Sequence, residues 1–117
     1  MSREEINLNI AITFRHTHSS EALKTHANEK LSNVLKKYFI GTTDASVVLS
    51  VEKRDHVAEI HVHSKGTHIT AKESTSDLYS SIDKAVGVIE TQARKIKDKH
   101  SNHKGAQDVL SIDEIAS

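Results

Sequence analysis

Ala45-Ser46-Val47-Val48-Leu49-Ser50-Val51, Ala58-Glu59-Ile60-His61-Val62-His63 and Thr67-His68-Ile69-Thr70-Ala71-Lys72 follow one another within thirty residues. In each run an apolar side chain recurs at every second position, the period of a strand with one face buried. Lys53-Arg54-Asp55 breaks the first run from the second, and Ser64-Lys65-Gly66 supplies the second break with the glycine a tight hairpin needs. Three strands in a meander are expected. If Lys65-Gly66 is a two-residue turn, His63 and His68 stand opposite each other on one sheet face, with His61 two residues away and Glu59 beyond it. That face, carrying Glu59, His61, His63, His68, Thr70 and Lys72, is polar and is expected to meet water or a partner.

Upstream, Leu8, Ile10, Ile12 and Phe14 alternate with Asn9, Ala11 and Thr13, which predicts a further strand. Between it and the meander, Leu23, Ala27, Leu31, Val34, Leu35 and Tyr38 recur at intervals of three and four, the stripe of an amphipathic helix. Ser19 or Ser20 can cap its start, Lys36 and Lys37 suit the negative end of its dipole, and Gly41 lies just beyond. Downstream, Ser74 and Asp77 stand at capping-box spacing ahead of Leu78, Ile82, Ala85, Val86, Ile89, Ala93 and Ile96, the longest stripe in the chain. The order β-α-β-β-β-α predicts an α+β two-layer sandwich, a four-stranded sheet with two helices on one face.

The length of 117 residues suits one domain, expected at 1–104, with 105–117 a short acidic tail that has too few apolar residues for a core of its own and is expected to be flexible or loosely docked. No run reaches a transmembrane length, the acids at Glu4 and Glu5 argue against a signal peptide, and the absence of cysteine excludes a disulfide scaffold and a thiol nucleophile. A cytoplasmic setting is expected. Sixteen basic and sixteen acidic residues cancel in the sum, yet they are not evenly placed. Arg94, Lys95, Lys97, Lys99 and Lys104 stand against the single acid Asp98, whereas Asp108, Asp113 and Glu114 follow Gly105 with no base. A locally positive end is compatible with a neutral total.

Ile6-Asn7-Leu8-Asn9-Ile10, Val47-Val48-Leu49-Ser50-Val51-Glu52-Lys53 and Asp77-Leu78-Tyr79-Ser80-Ser81-Ile82-Asp83, with Gln92 and Lys95 downstream, are similar in order and spacing to the ribosome hibernation-promoting factor and ribosome-associated inhibitor family. The likeness spans roughly residues 6 to 104 and is to the short form. It implies a fold similar to double-stranded-RNA-binding domains. It also implies a protein without catalysis or cofactor that binds small-subunit ribosomal RNA at the decoding region of whole ribosomes, blocks messenger and transfer RNA, and stabilises idle ribosomes in stress or stationary phase. The chain departs from the pattern in having Val88 and Thr91 where relatives place bases, and in one extra residue between Lys30 and Tyr38.

Lys84, Arg94, Lys95, Lys97, Lys99 and Lys104 lie off the apolar stripe of the second helix, and Lys24, Lys30, Lys36 and Lys37 offer a second rim on the first. Neutralised phosphates release counterions, so binding through such a rim falls steeply with salt. The same lysines also read as an ordinary solvated face. Asp77, Tyr79, Asp83 and Gln92 belong to the family motif and have structural readings too: Asp77 at the helix start, Tyr79 against the sheet edge, Asp83 in an ion pair. With two Tyr, two Phe and no Trp, recognition by phosphate and shape is expected over base stacking.

Three readings compete. The first is the hibernation factor, with the small subunit as partner, no membrane or DNA partner, and a monomer when free. The second is a generic duplex-RNA-binding module. The third is a metal carrier or metal-dependent enzyme built on Glu59, His61, His63 and His68. No glycine elbow or phosphate loop surrounds any serine and the four glycines are scattered singly, so no enzyme is expected; strand histidines on a polar face are usually only solvated and the resemblance implies no metal, so no metal site is expected either.

Overall fold

The computed structural model describes residues 6–101, with side chains through Asp98. The order is β1 (Ile6–Arg15), α1 (Glu21–Tyr38), β2 (Gly41–Glu52), β3 (Asp55–Ser64), β4 (Thr67–Thr75) and α2 (Leu78–Ser101). The strands form one sheet in the order β1-β2-β3-β4. β1 and β2 pair in parallel, so the chain must cross over between them, and α1 is that crossover. The other two pairings are antiparallel hairpins. The four-stranded α+β sandwich expected from the alternating runs is the fold observed.

Both helices cover one sheet face. Leu31, Leu35, Ile82 and Ile89 are completely buried against Leu49, Ile60, Val47 and Val62 of the central strands. Side chains of this size contribute about 1.5 to 3 kcal/mol each on burial. β1 is an edge strand whose inward residues Leu8, Ile10, Ile12 and Phe14 are only half-buried, while the same face of β2 is closed. The opposite sheet face carries no helix.

The ends of the elements differ from expectation in three places. β2 begins at Gly41, four residues before the alternating run, because Gly41 to Asp44 pair with Ile6 to Asn9. The ladder and a buried bond of 2.9 Å between the Thr43 and Ser64 hydroxyls override the weak strand propensity of that stretch. α1 ends on Phe39 in extended conformation, its N–H donating to the Leu35 carbonyl, while Gly41 with φ +79° opens β2 rather than capping the helix. Ser74 remains in β4, and Asp77 rather than Ser74 caps α2, accepting from the Ser80 N–H at 3.1 Å. Two expectations at the ends hold. Ser20 caps α1 by accepting from the Leu23 N–H, and Lys65-Gly66 forms a two-residue turn with φ of +48° and +82°, both positive as such a hairpin requires. The boundary at 104 and the segment 105–117 lie outside the described residues.

Candidate nucleic-acid interface

The helices run side by side in the same direction. His26 meets Asp83 at 2.8 Å, and further along both helices Lys37 and the Tyr38 hydroxyl each reach Glu90 at 3.2 Å. His26, Lys30, Asn33 and Lys37 recur at intervals of four and three, so Lys30 lies on the stripe of α1 that carries both partners of α2. Toward its carboxyl end this seam becomes positive. The ammonium groups of Lys37 and Lys97 lie 5.9 and 5.8 Å from the centre of the Tyr38 ring. The Tyr38 oxygen, with Glu90 and Asp98 behind it, favours the charged form of Arg94. Glu90 is the acid at the centre of the group: the bond from Lys37, more than any other contact, holds its carboxyl below the usual carboxylate range.

Lys84 and Lys95 project from the other flank of α2. With Glu73, Gly87, Val88, Thr91 and Gln92 they line a shallow groove of about 470 Å³ beside β4. Val88 and Thr91 separate the two lysines, and the Thr91 hydroxyl turns back to the Gly87 carbonyl at 3.1 Å. Gln92 crosses from the helix to β4 and donates to the Thr70 carbonyl at 2.7 Å, satisfying an acceptor on the edge strand. The structure therefore divides the cations of α2 between two flanks, Arg94 and Lys97 with Lys37 on one, Lys84 and Lys95 on the other. Lys24 belongs to neither. It sits at the start of α1 near Ile10 and Ile12 of β1 and pairs with Glu21 at 3.6 Å. Lys99 lies in the last helical turn, where only the backbone is described, and Lys104 falls outside the described residues.

The amino-terminal motif of α2 is tied down. Asp77 accepts from both the N–H and the hydroxyl of Ser80, and the hydroxyl bond is the main cause of its lowered pKa. The buried Ser81 hydroxyl donates to the His56 carbonyl at 2.5 Å and lies 2.8 Å from the Thr75 hydroxyl, linking the helix start to β3 and β4. Tyr79, 43% exposed, stands edge-on to the His26 ring of α1 at 5.0 Å, so it leans on a helix and not on the sheet edge as expected.

On the uncovered sheet face His63 and His68 are opposite, as the turn implied, with ring centres 4.0 Å apart and His61 stacked 5.8 Å from His68. Glu59 bonds His61 at 3.0 Å, and Asp44, opposite His63 on β2, accepts from Asn9 at 3.1 Å. Among the described residues no three such groups converge in an arrangement that could hold a metal ion.

The model of the family described as "Sigma 54 modulation protein / S30EA ribosomal protein" matches residues 10–101, more than three quarters of the chain. The chain belongs to this family. Within the S30EA family it is 31% identical over 96 residues to the ribosome hibernation promoting factor of Escherichia coli, a match covering 82% of this chain and 100% of that protein. It is 37% identical over 92 residues to the ribosome hibernation promotion factor of Deinococcus radiodurans, covering 74% of this chain and 47% of that protein, so it spans about half that relative's length. The crystal structure of the Thermus thermophilus Protein Y N-terminal domain superposes with a TM-score of 0.66 at 32% identity, covering 79% of this chain and 98% of that one. A ribosomal subunit interface protein from Coxiella burnetii shares the fold with a TM-score of 0.69 at 22% identity, over 78% of this chain and 99% of that one.

Sequence reasoning missed Tyr38 and Glu90 as the groups that gather Lys37, Arg94 and Lys97, and His26 as the partner of Asp83. It read Lys65 as a turn residue only, whereas its side chain folds back over Gly41, where a Cβ would lie 2.8 Å from the Lys65 Cε. The spacing of Lys37 and Glu90 carries no signal, because they are brought together by the sheet between them.

Proposed function

We propose that this chain is a ribosome hibernation factor: a cytoplasmic protein that lays the carboxyl-terminal half of α2, with Lys30 and Lys37 of α1, against small-subunit ribosomal RNA at the decoding region. There it excludes messenger and transfer RNA and stabilises idle ribosomes under stress or in stationary phase. The observation that carries the reading is membership of the S30EA family, supported by relatives named as hibernation factors. The gathering of Lys37, Arg94 and Lys97 around Tyr38, with Lys84 and Lys95 on the adjacent flank, supplies the chemistry. Side chains held at the ends of long aliphatic stems meet phosphates without base-specific contacts, which suits recognition by backbone and shape. No covalent step is required, since occupancy alone blocks the site.

Co-sedimentation with separated small subunits, large subunits and whole ribosomes tests the reading. Stoichiometric binding to small subunits and whole ribosomes, resistant to an excess of short duplex RNA and abolished in a Lys84→Glu, Lys95→Glu variant with native circular dichroism, is expected. Displacement by the duplex would favour a generic duplex-RNA module. Absence of binding at low salt would contradict both.

A further inference from the structure

A groove of about 640 Å³ opens where α1 ends, the β3–β4 hairpin turns and α2 passes. Tyr38, Phe39, Ile40 and Ile96 give it an apolar lining, and Lys36, Lys37, Lys65 and Lys97 stand around it. Ile40 is 41% exposed, one of two large apolar side chains so exposed among the described residues. Of the four lysines only Lys37 has an acidic partner among the described residues, and that partner is Glu90. The Tyr38 ring already has two ammonium groups beside it and its hydroxyl is taken by Glu90, so the lining suits aliphatic groups better than a flat base. An occupant matching this chemistry carries aliphatic side chains interleaved with carboxylates.

The chain contains such a segment. Asp108-Val109-Leu110-Ser111-Ile112-Asp113-Glu114-Ile115 has four aliphatic residues and three acids, with no base after Lys104. It is also within reach. Lys97 lines the groove and Ser101 is four residues further along α2, about 6 Å along the axis. Residues 102–107 span at most about 20 Å when extended, ample to return to the lysine rim.

We propose that residues 108–115 occupy this groove in the same chain, their aliphatic side chains on Phe39, Ile40 and Ile96 and their carboxylates on Lys36, Lys65 and Lys97. The segment then competes with RNA for Lys37 and Lys97. The competition rests on the RNA-binding reading given above; the docking does not.

The chain has no cysteine, so a Ser111→Cys variant of the full chain takes a single nitroxide label. In its nitrogen-15 spectrum the amide signals of Ile40, Lys65 and Thr67 are expected to lose most of their intensity, while Thr13 and Lys53 at the opposite end of the sheet keep theirs. Adding Lys36→Glu and Lys65→Glu to the labelled chain, with circular dichroism unchanged, is expected to restore the groove signals. Broadening that is absent, or spread evenly over the molecule, overturns the docking. Broadening seen only when labelled nitrogen-14 chain is mixed with unlabelled nitrogen-15 chain places a second copy in the groove and overturns it too. A Leu110→Ser, Ile112→Ser variant keeps every charge and is expected to bind small-subunit RNA about fourfold more tightly if the groove is filled about three quarters of the time. Unchanged affinity with the relaxation effect intact overturns the competition alone.

Discussion

The two halves of α2 are built for different tasks. From Leu78 to Ala85 the helix is fastened at its start, to the sheet and to α1: Asp77 caps it, Ser81 bonds β3 and contacts β4, Asp83 pairs with α1, and Leu78, Ile82 and Ala85 are buried. From Arg94 onward the described side chains are mostly exposed cations, Ile96 is only half-buried, and the contacts are to Tyr38 and Glu90 rather than to backbone. The stretch with the strongest family signature is thus the stretch with the clearest structural duties, and, Lys84 apart, the charge proposed to meet RNA on this helix sits where the signature is weaker. A motif that is easy to recognise marks what holds the helix in place, while the recognising groups need only reach outward from it.

Substitutions on the two sides should separate stability from binding. The largest effect is expected from Ile82→Ala, which removes a fully buried side chain beneath the first half and should cost about 2 to 5 kcal/mol in denaturant unfolding. Ile96→Ala, at a half-buried position of the second half, should cost less than half as much; equal destabilisation would break the comparison. Ser81→Ala removes the buried hydroxyl that donates to the His56 carbonyl and should cost about 1 to 3 kcal/mol while ribosome binding of the folded protein is unchanged. Tyr38→Phe removes the hydroxyl bond to Glu90, worth about 0.5 to 1.5 kcal/mol, and loosens the group that gathers the cations.

The smallest effect concerns the charge of Asp77. Its pKa in the folded chain lies below 3.8, so its ionised form contributes stability above that value, and the contribution disappears as pH falls through the folded pKa. Asp77→Asn, which keeps a capping side chain, should melt below wild type at pH 7 and approach it once the pH is well under 3.8. A melting difference that stays constant across that range would assign the role of Asp77 to shape rather than charge.

All six elements were legible in the sequence because each carries its own period, two for the strands and three to four for the helices. The facing of His63 and His68 was legible as well, since a two-residue turn leaves one register. The cap of α2 was misread by three residues because serines and threonines at 74–76 suit a strand end as well as a helix start. The division of the cations between two flanks was not legible. Arg94 and Lys95 are neighbours in sequence, and only the positions of α1 and β4 on either side of α2 decide that one meets Tyr38 and the other lines the groove with Glu73. Tyr79 likewise found its partner in His26, fifty-three residues earlier, which no local pattern announces.

The most direct test of the central claim is the salt dependence of binding to small subunits, compared among wild type, Arg94→Gln with Lys95→Gln, and Ser81→Ala. If the second half of α2 meets phosphates, the glutamine variant should bind more weakly and its slope of log affinity against log salt should be shallower, by about 0.7 to 0.9 for each phosphate that is no longer neutralised, with Ser81→Ala keeping the wild-type slope. A wild-type slope in the glutamine variant, or a shallower slope in Ser81→Ala, would contradict the account and place the RNA-binding surface elsewhere on the molecule.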